Sequence, residues 1–65
     1  MMRPEEMKAL RKAAGLTQAE FASALGMHRV TISDMERGVA PIETRTALAA
    51  RYLSDHPERV RVAAE

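Results

Sequence analysis

The sequence predicts an all-α fold, a compact bundle of about five short helices. It forms a single domain over residues 1–65, with its core at 4–53 and a short C-terminal helix at 55–64. Three observations predict it. Alanine, leucine, methionine, glutamate, lysine and arginine dominate while aromatic residues are only 3%, which favours helices throughout. Punctuation is sparse: Gly15, Gly26, Gly38, Pro41 and "SDHPE" near residue 56 cut the chain into short helical pieces with tight links. No alternating apolar pattern marks a strand.

The first helix is expected from Pro4 or Glu5 to Ala14. Proline suits the first helical position, and Glu5 and Glu6 lie against the positive end of the dipole. Met7, Leu10 and Ala14 share one face, and Gly15 supplies the stop. The second helix opens on "TQAE", where Thr17 and Glu20 have the spacing of a capping box. Phe21, Ala22 and Leu25 then face inward, Gly26 makes the turn, and Met27 plugs beneath it.

The third helix is expected from about His28 to Arg37, with Ile32 and Met35 as its core pair. Val30 then lies about 160° from Ile32, and Asp34 and Arg37 at roughly 200° and 140°, so all three point outward. Gly38 ends this helix. After "VAPI", a fourth helix runs from Glu43 to about Leu53, with Leu48, Ala49, Tyr52 and Leu53 as its apolar residues. Ser54 or Asp55 caps a fifth, with Pro57 in its first turn and Val60 exposed.

Size and composition exclude several functions. A chain of 65 residues buries only ~60% of its unfolded surface, so it is marginal unless a partner adds burial. Without cysteine there is neither a disulfide framework nor a thiolate metal site, and His28 and His56 lie far apart without a carboxylate cluster. No cofactor is expected, and the five methionines read as soft core filler. His28, Ser33 and Asp34 on one short helix cannot assemble a base, an orienter and an oxyanion site, so no enzyme is expected. No apolar run approaches the roughly 20 residues of a membrane span, and "MMRPEEMKALRK" is not a signal peptide, which points to a soluble cytoplasmic protein. "ERVR" reads as a solvated last helix. Lys+Arg 10 against Asp+Glu 9 gives a net charge of +1, so any basic footprint must come from clustering.

The functional signal lies in "LTQAEFASALGMHRVTISDMERG". A helix, a glycine-containing turn and a second helix with a polar outer face make helix-turn-helix geometry, in which the second helix is offered to the major groove. Arg29 can donate two hydrogen bonds to guanine, Val30 can pack on a thymine methyl, and Asp34 can accept from cytosine N4. Arg37 can reach a phosphate.

These residues bring the chain close to a known family. The stretch "LRKAAGLTQAEFASALGMHRVTISDMERG" continuing to "APIETRTALAARYL" resembles the XRE, or Cro/CI-type, phage repressor domains over roughly residues 7 to 53. The markers are Gly15-Leu16-Thr17-Gln18, Phe21-Ala22, Leu25-Gly26, Thr31-Ile32-Ser33 and Glu36-Arg37-Gly38. The resemblance implies that Gln18 clamps phosphate and can brace the recognition helix, that Arg29, Val30 and Asp34 read bases, and that Thr31 and Arg37 touch the backbone. It also implies a partly buried ion pair between Arg11 and Glu36. Geometry permits that pair independently, since each residue lies about 40° from a core position of its own helix.

Three departures stand out. His28 replaces the usual Ser or Thr cap, so either the capping shifts or His28 faces a phosphate. Asp34 puts a negative charge near the groove, where it meets a cytosine amino group or holds Arg29. The "GVAP" loop lacks lysines, which moves backbone contact toward Arg45. The expected protein is thus a dimeric regulator on a near-palindromic operator of double-stranded DNA, most simply a repressor of its own or a neighbouring operon of phage or mobile-element type. The expected dimer surface is Tyr52, Leu53, Val60 and Val62. The alternative is an antitoxin-like or adaptor module whose partner is a protein.

Overall fold

Pro4 and an acidic first turn open the first helix in the computed structural model, which describes residues 2–58. The order is α1 (Pro4–Ala13), α2 (Gln18–Leu25), α3 (Arg29–Glu36) and α4 (Thr44–Asp55), with no strand among the described residues. The all-α expectation is met, with four helices rather than about five among the described residues. Asp55, expected to cap a separate helix, is the last residue of α4. The helix stops at His56, whose φ of −131° and ψ of 63° leave helical space. Most of the segment 55–64, including Val60 and Val62, lies outside the described residues.

The starts of the helices follow from local hydrogen bonding. The Arg3 backbone N–H donates to Glu6 Oε1 at 2.9 Å, and Arg11 and Lys12 fall in the last turn of α1, where their charge suits the dipole. At α2 the capping box is complete: Glu20 N–H donates to Thr17 Oγ1 at 3.1 Å, and Thr17 N–H donates to Glu20 Oε1 at 2.8 Å. Thr17→Ala is therefore expected to cost about 1 kcal/mol, lowering the melting midpoint by about 4–8 °C. Thermal unfolding followed by circular dichroism reads this directly. Gly26 ends α2 with φ 71°, in the left-handed region, so that Met27 N–H reaches Ala22 O at 2.8 Å and the chain turns into α3.

The core gathers one stripe from each helix: Met7 from α1, Phe21 and Ala22 from α2, Ile32 and Met35 from α3, and Ala47, Ala50 and Leu53 from α4. Phe21, Met7 and Ile32 are its largest fully buried side chains. Met2 and Ile42 complete it from outside the helices. With Met27 half-buried against this cluster, Met2, Met7, Met27 and Met35 all act as filler.

Helix α2 packs on α3, α1 packs on α4 and α3, and α2 also touches α4. The inner face of α4 departs from expectation. Its small residues Ala47 and Ala50 turn inward with Leu53 and Thr46, while the larger Leu48 and Tyr52 turn out. Alanines on an inner stripe permit a closer helix approach than bulkier side chains would.

Candidate nucleic-acid interface

Ile32 and Met35 are buried, and they fix which side of α3 faces out. Arg29 and Arg37 are exposed, Val30 is 59% exposed, and Thr31 and Asp34 are half-buried. Four of the five expected contact residues therefore lie on one short helix, with Arg29 and Val30 in its first turn, and Arg37 is its C-cap. His28 occupies the N-cap position with extended backbone but makes no capping hydrogen bond through its side chain. Thr31 N–H donates to the His28 carbonyl at 3.0 Å, but the Arg29 and Val30 N–H groups have neither an intrahelical acceptor nor a side-chain cap and can donate to an anion.

Asp34 does not hold Arg29. Its Oδ1 accepts from Arg37 Nη2 at 2.9 Å, one helical turn further on. The i,i+3 spacing carried this signal in the sequence, because residues three apart are neighbours on a helix whereas residues five apart are not. The pair neutralises much of the negative charge that Asp34 brings to the outer face.

A polar cluster sets the angle of α3. Arg11 Nε donates to Glu36 Oε2 at 2.7 Å and Arg11 Nη2 to Glu36 Oε1 at 3.1 Å. Arg11 Nη1 also donates to the Leu16 carbonyl at 2.9 Å, and Gln18 Nε2 donates to Glu36 Oε1 at 3.2 Å. The two charged side chains are only 11% and 3% exposed. The Glu36 carboxylate thereby joins α1 and the start of α2 to the end of α3, and the Arg11 guanidinium ties in the α1–α2 link. The ion pair expected between Arg11 and Glu36 is present, and so is bracing by Gln18. The Leu16 carbonyl was not legible in the sequence, since any residue supplies one.

Burial alone would push the Glu36 carboxyl up. Hydrogen bonds from Arg11 and Gln18 and the positive charges of Arg11 and Lys8 outweigh it, holding the carboxyl below its ordinary value. Between that lowered value and the ~4.3 of an unfolded glutamate, the unfolded chain binds more protons. Glu36 therefore contributes stability that is fully present above the unfolded value and is lost as pH falls through the folded one. Melting midpoints measured across the acid range should fall less steeply for Glu36→Gln than for the natural protein. Parallel curves would reject this source of acid sensitivity.

The remaining expected residues are dispersed. Arg45 lies on α4, its side chain 88% exposed and its Nε 3.2 Å from Glu43 Oε1. It lines a cleft with Leu25, Gly26, Met27, Thr46 and Ala49, beside the turn that leads into α3. Tyr52 is exposed, as a dimer surface requires, but Leu53 is a correction: it is buried in the core, because it shares the inner stripe of α4 with Ala50. Exposed Val39, directly after Gly38 in the loop following α3, was not singled out in the sequence.

An outward helix held at fixed angle after a glycine turn defines a helix-turn-helix reading head. A helix-turn-helix family model matches residues 7–51, a span that takes in α2 and α3 whole and most of α1 and α4. The chain belongs to the XRE-type helix-turn-helix family and is a regulator of transcription that binds double-stranded DNA. No curated protein and no solved structure matches it. Among the described residues, no helix is long and apolar enough to cross a membrane and no group of side chains has the makings of a metal site.

Proposed function

We propose that this protein is a homodimeric repressor that acts in the cytoplasm on a near-palindromic operator of its own or a neighbouring operon, in the manner of phage and mobile-element regulators. The observation that carries the reading is the outer face of α3. Arg29, Val30 and Arg37 stand exposed there, with half-buried Asp34 paired to Arg37, while the Arg11–Glu36–Gln18 cluster holds the helix behind them. Arg29 is assigned to guanine, Val30 to a thymine methyl and Asp34 to a cytosine amino group. The free N–H groups at the start of α3, with His28, Thr31, Gln18 and Arg37, are assigned to phosphates, which give affinity and register rather than sequence choice. In a dimer the two recognition helices would sit about 34 Å apart and read half-sites one turn apart. Blocking polymerase is the simplest output, and protein concentration sets occupancy through dimer mass action.

A gel shift on the DNA upstream of its own gene tests the reading, with Arg29→Ala as the control. Binding should weaken steeply as salt rises, because each neutralised phosphate releases counterions. One observation favours a protein-binding module instead. With a net charge of only +1 and Arg37 already tied to Asp34, the outer face carries little free positive charge. Association that is insensitive to salt, on a protein and not on DNA, would decide for that module.

A further inference from the structure

Val30, Val39, Leu48 and Tyr52 are the large apolar side chains that stand exposed among the described residues. The reading face accounts for Val30. Leu48 and Tyr52, 63% and 49% exposed, lie four residues apart on α4 and so sit one above the other. Arg45 precedes Leu48 by three residues and Asp55 follows Tyr52 by three, and all four positions fall within about 80° of the helix circumference. The ridge Arg45-Leu48-Tyr52-Asp55 thus has the alternating three- and four-residue spacing of a seam between two helices. It lies on the side of α4 away from Ala50 and the core.

We propose that this ridge is the contact between two copies of the chain, α4 packed against α4 in antiparallel fashion about a two-fold axis. The proposal rests on the dimeric reading above and names the surface that reading leaves open. Charge complementarity carries it. Reversing the ridge about its midpoint exchanges Leu48 with Tyr52 and Arg45 with Asp55. Each apolar side chain then meets an apolar one, and Arg45 meets Asp55 of the partner subunit. A parallel pairing would instead set arginine on arginine and aspartate on aspartate. A two-fold contact needs one self-complementary patch, and this one is self-complementary in a single direction. Arg45 is free to make the exchange, since its present partner Glu43 is a solvent-exposed neighbour.

The position of the reading head agrees. The Leu25–Met27 turn shares its cleft with Arg45, Thr46 and Ala49, an edge of α4 about a quarter-turn from the ridge. The head therefore sits beside the ridge rather than opposite it. A two-fold axis running between the paired α4 helices would carry both heads to the same side, as a duplex requires. The assignment gives Arg45 to the partner subunit instead of to a phosphate. The contact is small and belongs to the weak class below ~1,200 Å², so dimerisation should depend on concentration.

Sedimentation equilibrium on the whole chain at low salt, up to high micromolar concentration, tests it, with circular dichroism confirming that each variant is folded. The natural protein should move from the mass of one chain to that of two. Leu48→Glu, Arg45→Glu and Asp55→Arg should each remain at one, and the double variant Arg45→Glu/Asp55→Arg should regain the dimer. A natural protein that stays monomeric, a Leu48→Glu variant that dimerises normally, or a double variant that fails to recover would each overturn the proposal. A parallel gel shift on a pool of random duplexes separates the two ideas. Two-chain complexes formed equally well by Leu48→Glu would sink the α4 contact and leave the DNA reading intact. Dimers that behave as expected yet bind no duplex would do the reverse.

Discussion

Replacing Arg11 by alanine is expected to destabilise the fold by about 3–5 kcal/mol, the usual cost of leaving one member of a buried ion pair alone. The change strips Glu36 of two hydrogen bonds and the Leu16 carbonyl of one, in a place where water has little access to replace them. A domain of this length has roughly 3–10 kcal/mol of stability in all, so the loss consumes much of it. The control is Arg37→Ala. Its pair with Asp34 has the same length within a few tenths of an ångström, but the arginine side chain is 65% exposed. Solvent-exposed pairs of this kind contribute about 0–1 kcal/mol. Urea unfolding of the two variants should therefore separate them widely, with Arg11→Ala far below Arg37→Ala. Equal midpoints would mean that burial of the Arg11–Glu36 pair does not govern its energetics.

Arg29→Ala carries the largest expected effect on function. Loss of a bidentate contact to guanine costs about 1–3 kcal/mol, or roughly 5- to 150-fold in affinity, and relaxes preference at a single position of the site. Arg29 is exposed at the start of α3, so the melting midpoint should barely move. Fluorescence anisotropy on a duplex recovered by selection from a random pool measures the affinity, and the selected sequences report the preference. Arg37→Ala should behave differently: weaker binding to every sequence, and a salt slope shallower by about one. If both variants lose affinity equally on cognate and random duplexes, Arg29 grips phosphate and the base-reading role passes to other residues of the helix.

Most of the reading head was legible before any tertiary information. The Thr17–Glu20 box, the Gly26 turn and the inward Ile32–Met35 pair each follow from residues within a few positions of one another. Spacing alone also put Arg11 and Glu36 at the edges of their helices' apolar faces, though family resemblance was what paired them. The Asp34–Arg37 contact was written in the i,i+3 spacing too, although the partners expected for Asp34 were only a cytosine amino group or Arg29.

Other features were not available locally. Nothing in the first residues marks Met2 as core, because it precedes any helical period, and its burial depends on where the rest of the fold places an apolar gap. Gln18 has the spacing of an ordinary first-turn residue, and only the packing of α2 on α3 brings its amide to Glu36. Helix α4 is the clearest case. Alanine, leucine and tyrosine spread around it leave several faces apolar enough to be the inner one, so hydrophobicity could not choose among them. What the chain determined by itself was where helices start, where they turn and which side of α3 faces out, since hydrogen bonds and helical period act within a few residues. The tertiary structure alone decided that Ala47 and Ala50 face the core and that Leu48 and Tyr52 face solvent, because close packing depends on the shape of a neighbour the local sequence does not contain.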